Sequence, residues 1–152
     1  MLKIRIEIID SIQEDEVIIR CRELSGTVTD IQNAIIEKSA KVPGIVFYKD
    51  KDEYYFPLSD VLFFESGDDT VFAHTSSDAY KIGFKLYELV RMLPGDFVRI
   101  SKSAIVNTAH IMSITKSIAS SSLVRFRKSH KQIYVSRLYY KELKQKLTER
   151  KN

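Results

Sequence analysis

The chain has 152 residues, 44% of them hydrophobic and 29% charged, with five glycines and three prolines. That composition excludes a disordered or low-complexity chain. It describes one domain with a modest extension, able to bury a core without metal or disulfide staples. The net charge of +4 is uneven: residues 1–52 carry −2, residues 53–96 carry −5, and residues 97–152, with 13 Lys/Arg and 2 Asp/Glu, carry +11.

A basic block of that size points to a polyanionic partner: nucleic acid, an anionic membrane surface or an acidic protein. No run reaches the roughly 18 apolar residues of a membrane span. The N-terminus alternates apolar and charged residues where a signal peptide would be continuously apolar, so the expected compartment is the cytoplasm. Cys21 stands alone, which excludes an internal disulfide. Its apolar surroundings predict a buried structural thiol.

In chain order, Leu2, Ile4, Ile6 and Ile8 alternate with Lys3, Arg5 and Glu7, the pattern of a half-buried strand. Residues 11–16 are polar and acidic, a turn, and residues 17–24 read as a second strand that pairs with the first. Thr29 with Gln32 gives a capping-box signature, and Ile31, Ala34, Ile35 and Lys38 follow at helical spacing. A helix is predicted over 27–40, stopped by Pro43-Gly44. This ββα unit, residues 1–44, is too small to stand alone.

From Ile45 the texture changes to many short strands. They are predicted at 45–48, 53–57, 61–65, 70–75 and 79–84, separated by the turns 49–52, 66–69 and 76–78. Leu86, Leu89, Val90 and Leu93 share one face of a short helix that Pro94-Gly95 ends. Strands resume at 97–101, 104–114, 123–128 and 132–135. Ser136 then reads as an N-cap, and Tyr139, Leu143 and Leu147 recur every four residues along a last helix.

Catalysis finds no support. His74, His110 and His130 share no metal-ligand spacing. Asp68-Asp69 is the composition of a turn, not of a catalytic dyad. There is no phosphate-cradling glycine loop and no nucleophile elbow. The chain is therefore read as a non-enzyme with no cofactor and no metal.

The basic third is more informative. Between the apolar stretches of residues 97–107 lie Ser101, Lys102 and Ser103, hydroxyls and a long cation suited to phosphate oxygens and guanine edges. Arg137 opens the last helix, where a cation opposes the helix dipole at a cost of ~0.3–1 kcal/mol. Reaching past the helix to an anion or to guanine O6/N7 would offset that cost. Arg125, Arg127, Lys128 and Lys131 flank a hairpin turn. For each of these residues a solvated surface charge is the alternative.

The motifs in order are Phe56-Pro57-Leu58-Ser59-Asp60-Val61-Leu62-Phe63-Phe64-Glu65, then Leu86-Tyr87-Glu88-Leu89-Val90-Arg91-Met92-Leu93. Next comes Phe97-Val98-Arg99-Ile100-Ser101-Lys102-Ser103-Ala104-Ile105-Val106-Asn107, and last Ile133-Tyr134-Val135-Ser136-Arg137. Together they resemble the LytTR DNA-binding domain, the third matching its F-x-R-x-H-[RKN]-S-x-x-V-N signature. The resemblance covers about residues 45–148.

It implies a bacterial transcription regulator of mainly β fold (α+β overall): an elongated set of small antiparallel sheets with short helices. Such proteins insert loops into successive major grooves of double-stranded DNA, as dimers on paired repeats. The base-reading positions carry over to Asp69, Lys102 and Arg137. Asp69 stands where a histidine or another donor is common, and Thr70 is its substitute. Ser101 stands where histidine is common. Arg99, Ser101, Ser103, Ser136, Lys128 and Lys131 are the candidate backbone contacts.

Only about 44 residues precede the DNA-binding part, too few for the receiver domain of roughly 120 residues that such regulators usually carry. The segment 1–44 is then expected to dimerise the protein or receive a partner. Family analogy suggests a small membrane protein that holds it inactive. The rival readings are an RNA-binding module and a basic interaction protein for an acidic partner or membrane surface.

Overall fold

The computed structural model describes residues 2–13, 15–39 and 44–150. The chain divides into two compact units, Met1–Ser39 and Ala40–Asn152. No helix of the described residues is long and apolar enough to cross a membrane.

The first unit holds α1 (Gly26–Ser39). Ser25, not Thr29, caps it: its side-chain oxygen accepts from Val28 N at 3.3 Å, and its carbonyl accepts from Thr29 N at 3.1 Å. A serine hydroxyl satisfies an amide that the first helical turn leaves without a partner. Pro43, to which the helix stop is assigned above, lies outside the described residues. The two strands expected at 2–8 and 17–24 do not form. Those residues carry no strand pairing, and Ile4, Ile6, Ile8, Val17 and Ile18 are exposed. An alternating strand has only half a ladder of its own, and two strands without a covering layer are marginal in water. Cys21 is exposed, not buried, because the strand pairing expected to cover it is not formed within its unit.

The second unit is built of antiparallel β-structure. Its strands are β1 (Phe47–Lys49), β2 (Asp52–Tyr54), β3 (Phe63–Gly67), β4 (Thr70–His74), β5 (Ala79–Ile82), β6 (Phe97–Ser101) and β7 (Ala104–Asn107). These form one seven-stranded sheet in the order β2-β1-β5-β4-β3-β7-β6. A second sheet, β10-β9-β8, comprises β8 (Ile111–Thr115), β9 (Ser122–Phe126) and β10 (Gln132–Val135). The helices are α2 (Leu86–Met92) and α3 (Arg137–Arg150).

Strand periodicity divides the apolar residues between two cores. Phe63, Ala104 and Val106 point to one face, where Val124, Phe126, Ile133, Val135 and, from α3, Leu143 meet them. Phe64 and Ile105 point to the other, where they meet Val71, Ala73, Ile82 and the α2 residues Leu86 and Leu89. β3 and β7 are thus covered on both faces, which explains why they read as continuous apolar runs. Tyr139 and Leu147 pack with Leu143 as their spacing predicts. Val90 departs from the expected α2 face and is exposed, while Met92 packs inward.

The strand expected over 104–114 is two strands, broken by a single 3-10 turn at Thr108–His110. Asn107 makes the corner. Only 3% exposed, it donates from Nδ2 to Val61 O at 3.0 Å and accepts from Ala109 N at 3.1 Å. A buried amide satisfied on both sides turns the chain from the large sheet into the small one.

Candidate nucleic-acid interface

Antiparallel registers sort the loops into two ends. The β3–β4 turn lies beside the β6–β7 turn, because Glu65 pairs with Ala104 and Gly67 with Thr70. Ser66 N donates to Ser103 O at 2.8 Å, tying the two turns together. On the other side of β6, Ser136 N donates to Ile100 O at 2.8 Å and brings the start of α3 to the same end. The β4–β5 and β9–β10 turns lie at the opposite end, where Ser129 Oγ donates to Ser76 O at 2.8 Å.

The β6–β7 turn is braced from below. Arg99 Nε donates to Ser101 O at 2.9 Å and Arg99 Nη2 to Lys102 O at 2.6 Å. Ser103 N donates to Ser101 Oγ at 3.1 Å. A register shift between Arg99 and Ser101 marks a bulge at this point, and bulges re-aim the side chains that follow them. The result is Lys102 at the apex. Its side chain is exposed, and its ammonium makes no hydrogen bond or ion pair among the described residues. Arg99, a candidate for backbone contact, spends two donors on the turn, and Ser101, another, accepts there from Arg99 Nε and Ser103 N.

Arg137 is likewise exposed and without a polar partner among the described residues. The second sequence candidate therefore stands at the same end as the first, with its guanidinium available for bidentate recognition. Ser103 is exposed and Ser136 half-buried beside them.

Asp68 and Asp69 have φ of 49° and 63° and connect two directly paired strands. Positive φ at both central positions defines a type I′ hairpin turn, where Asp is tolerated because its short side chain fits the left-handed region. Turn geometry thus accounts for the pair. Asp69 O accepts from Lys85 Nζ at 3.3 Å. A cavity of about 390 Å³ joins Asp69, Lys85, Tyr87, Arg99 and Lys102, so Asp69 sits among cations at the end that carries Lys102. Thr70 begins β4 beside it and is half-buried.

Lys128 and Lys131 stand apart, at the opposite end. Lys131 Nζ donates to Asp78 O and, at 3.3 Å, to His74 Nδ1. Burial pulls the Lys131 ammonium below the ordinary lysine range, against the attraction of Asp78. His74 stacks on Phe63 at 4.3 Å between ring centroids, and burial, with Lys131 beside it, lowers its pKa to about 4. Lys131 thus latches the two sheets together and is not presented outward. His130 is exposed, and His110 Nε2 meets Ser59 O. Among the described residues no three His, Cys, Asp or Glu side chains gather in a way that would hold a metal.

Two further cations, neither singled out in the sequence, stand at this loop end. Lys85 reaches the β3–β4 turn, as noted. Lys116 follows β8, whose Thr115 pairs with Leu123, so the 116–121 loop emerges at the end where Ser136 lies. Its ammonium sits 5.3 Å from the ring centroid of Tyr140, in the first turn of α3. A lysine opening the serine-rich run Ser117, Ser120, Ser121 was the available signal.

Residues 52–148 match the family described as the LytTr DNA-binding domain. The chain is 33% identical over 151 residues to an uncharacterised HTH-type transcriptional regulator of Staphylococcus aureus strain NCTC 8325, covering 97% of this chain and 99% of that one. A relative in strain MRSA252, with the same description, is 32% identical over the same share of both chains. The LytTr DNA-binding domain of a methyl-accepting/DNA response regulator from Bacillus cereus superposes with a TM-score of 0.61. It is 26% identical, and the match covers 68% of this chain and 96% of that domain.

Proposed function

This chain belongs to the LytTr DNA-binding domain family, and we propose that it reads duplex DNA with the loop end that carries Lys102 and Arg137. At the level of the family it is a DNA-binding transcriptional regulator and not an enzyme. Among the described residues no two α-helices follow one another, so a recognition helix packed in a helix-turn-helix is not available. The reading elements are loops: the β6–β7 turn enters one major groove and the β10–α3 junction the next. Lys102 and Arg137 contact base edges, with guanine O6/N7 as the best chemical match. Ser103, Ser136, Lys85 and Lys116 contact phosphate oxygens, while Arg99 and Ser101 hold the turn that presents Lys102.

The observation that carries this reading is that Lys102 and Arg137 are exposed, without polar partners among the described residues, and brought to one end by the Ser136–Ile100 hydrogen bond. Asp69 and Thr70 belong to the same end. Asp69 is suited to accept from cytosine N4, with Lys85 offsetting its charge near phosphate. The protein acts as a homodimer on paired repeats, in the cytoplasm where that DNA lies, and by family analogy a small membrane protein restrains it.

Lys102→Ala and Arg137→Ala should each cost ~1–3 kcal/mol of affinity for a duplex that the unaltered chain selects, and relax preference at one base position. Titration of labelled duplex at fixed salt measures this. Unchanged affinity in both variants would refute the assignment.

A further inference from the structure

The N-terminal unit carries a feature that DNA reading does not use. Leu2, Ile4, Ile6 and Ile8 are 64–92% exposed. Residues 17–24 add a second exposed apolar segment. Contiguous apolar surface of this kind is costly in water and marks a contact site. Residues 2–8 have no strand partner within the described chain. Arg5 Nε lies 3.8 Å from Glu7 Oε1, the i to i+2 neighbourhood of side chains on one face of an extended segment.

We propose that residues 4–8 pair, as an antiparallel strand centred on Ile6, with residues 4–8 of a second copy of this chain. Charge complementarity singles out both the partner and the register. In an antiparallel pair, directly opposed residues share a face, so any odd offset sets isoleucines against charges. Centring on Ile4 opposes Lys3 with Arg5. Centring on Arg5 pairs Lys3 with Glu7 twice but opposes Arg5 with itself. Centring on Glu7 opposes Glu7 with itself and Arg5 with Ile9, so only Ile6 gives opposite-charge pairs with no like-charge pair. Centring on Ile6 opposes Arg5 with the second copy's Glu7 twice over, and on the other face stacks Ile4 on Ile8, Ile6 on Ile6 and Ile8 on Ile4. That arrangement is self-complementary about a twofold axis, as a closed dimer requires. Residues 17–24 of each copy flank the pair and extend it past the two-strand limit.

The proposal deepens the paired-repeat reading, since a twofold dimer delivers two reading ends to two repeats. It is tested without DNA. Sedimentation velocity of the 152-residue chain at low salt should show a dimer, and Ile6→Lys should abolish it. Arg5→Glu alone and Glu7→Arg alone turn both cross-strand pairs repulsive, and each should weaken dimerisation roughly tenfold. Mixing those two variants in equal amounts should restore a dimer, now a heterodimer, because positions 5 and 7 of the two chains then carry opposite charges.

A chain that stays monomeric while still binding a single-repeat duplex overturns this proposal and leaves the DNA reading intact. A dimer indifferent to the charge reversals, or a monomer captured by lipid vesicles through residues 2–8, overturns it as well. A dimer that obeys the charge rule but binds no duplex upholds it and removes the DNA reading.

Discussion

Two lysines that look alike in the sequence have different surroundings. Lys102 has neighbours that hold its backbone and leave its ammonium free, whereas Lys131 has its ammonium on Asp78 O and His74 Nδ1. Lys131→Ala should therefore lower the unfolding midpoint and leave the salt dependence of DNA binding unchanged. His74 carries a pH consequence. Its pKa falls from 6.5 to about 4 in the fold, so between those values the unfolded chain binds a proton that the folded chain does not. Stability is then lost progressively as pH falls from about 6.5 to about 4. His74→Gln removes that contribution, so the stability difference between the two proteins should shrink from neutral pH to about pH 4.5. Urea unfolding of both across that range measures it, and parallel curves would contradict the burial of a neutral imidazole. The exposed placement of Lys102 was legible because apolar runs bracket a short polar turn. The placement of Lys131 was not, because its partner Asp78 lies 53 residues away across two sheets.

At the scale of elements, period-two alternation located most strands within a residue or two, and the spacing of Tyr139, Leu143 and Leu147 placed the buried face of α3. The β7–β8 corner was hidden because residues 104–114 read as one apolar run. Asn107 breaks that run only through its bonds to Val61 O and Ala109 N. Asn107→Ala should cost ~1–3 kcal/mol by leaving those groups without a partner in the interior, measured by thermal or denaturant unfolding. Base preference should be unaltered, since the corner lies at the end opposite Lys102. The strands expected at 2–8 and 17–24 were misread for a different reason. Alternation reports which face is apolar, not whether the chain supplies the layer that covers it.

Across the whole molecule, the net +4 resolves into cations with separate tasks. Lys85, Lys102, Lys116 and Arg137 gather at one loop end, while Lys131 secures the opposite one. Binding should fall steeply with salt, because phosphate contacts release counterions. Lys116→Ala should weaken all duplexes alike and reduce the slope of log affinity against log salt by about one. Lys128→Ala, at the far end, should leave that slope unchanged.

The measurement that tests the central claim most directly is selection from a random duplex pool by the unaltered chain, by Lys102→Ala and by Arg137→Ala. The loop end predicts two repeats for the unaltered chain. Each variant should lose preference at one position per repeat, a different position for each. Recovery of the same sequences with the same affinity by all three would contradict it.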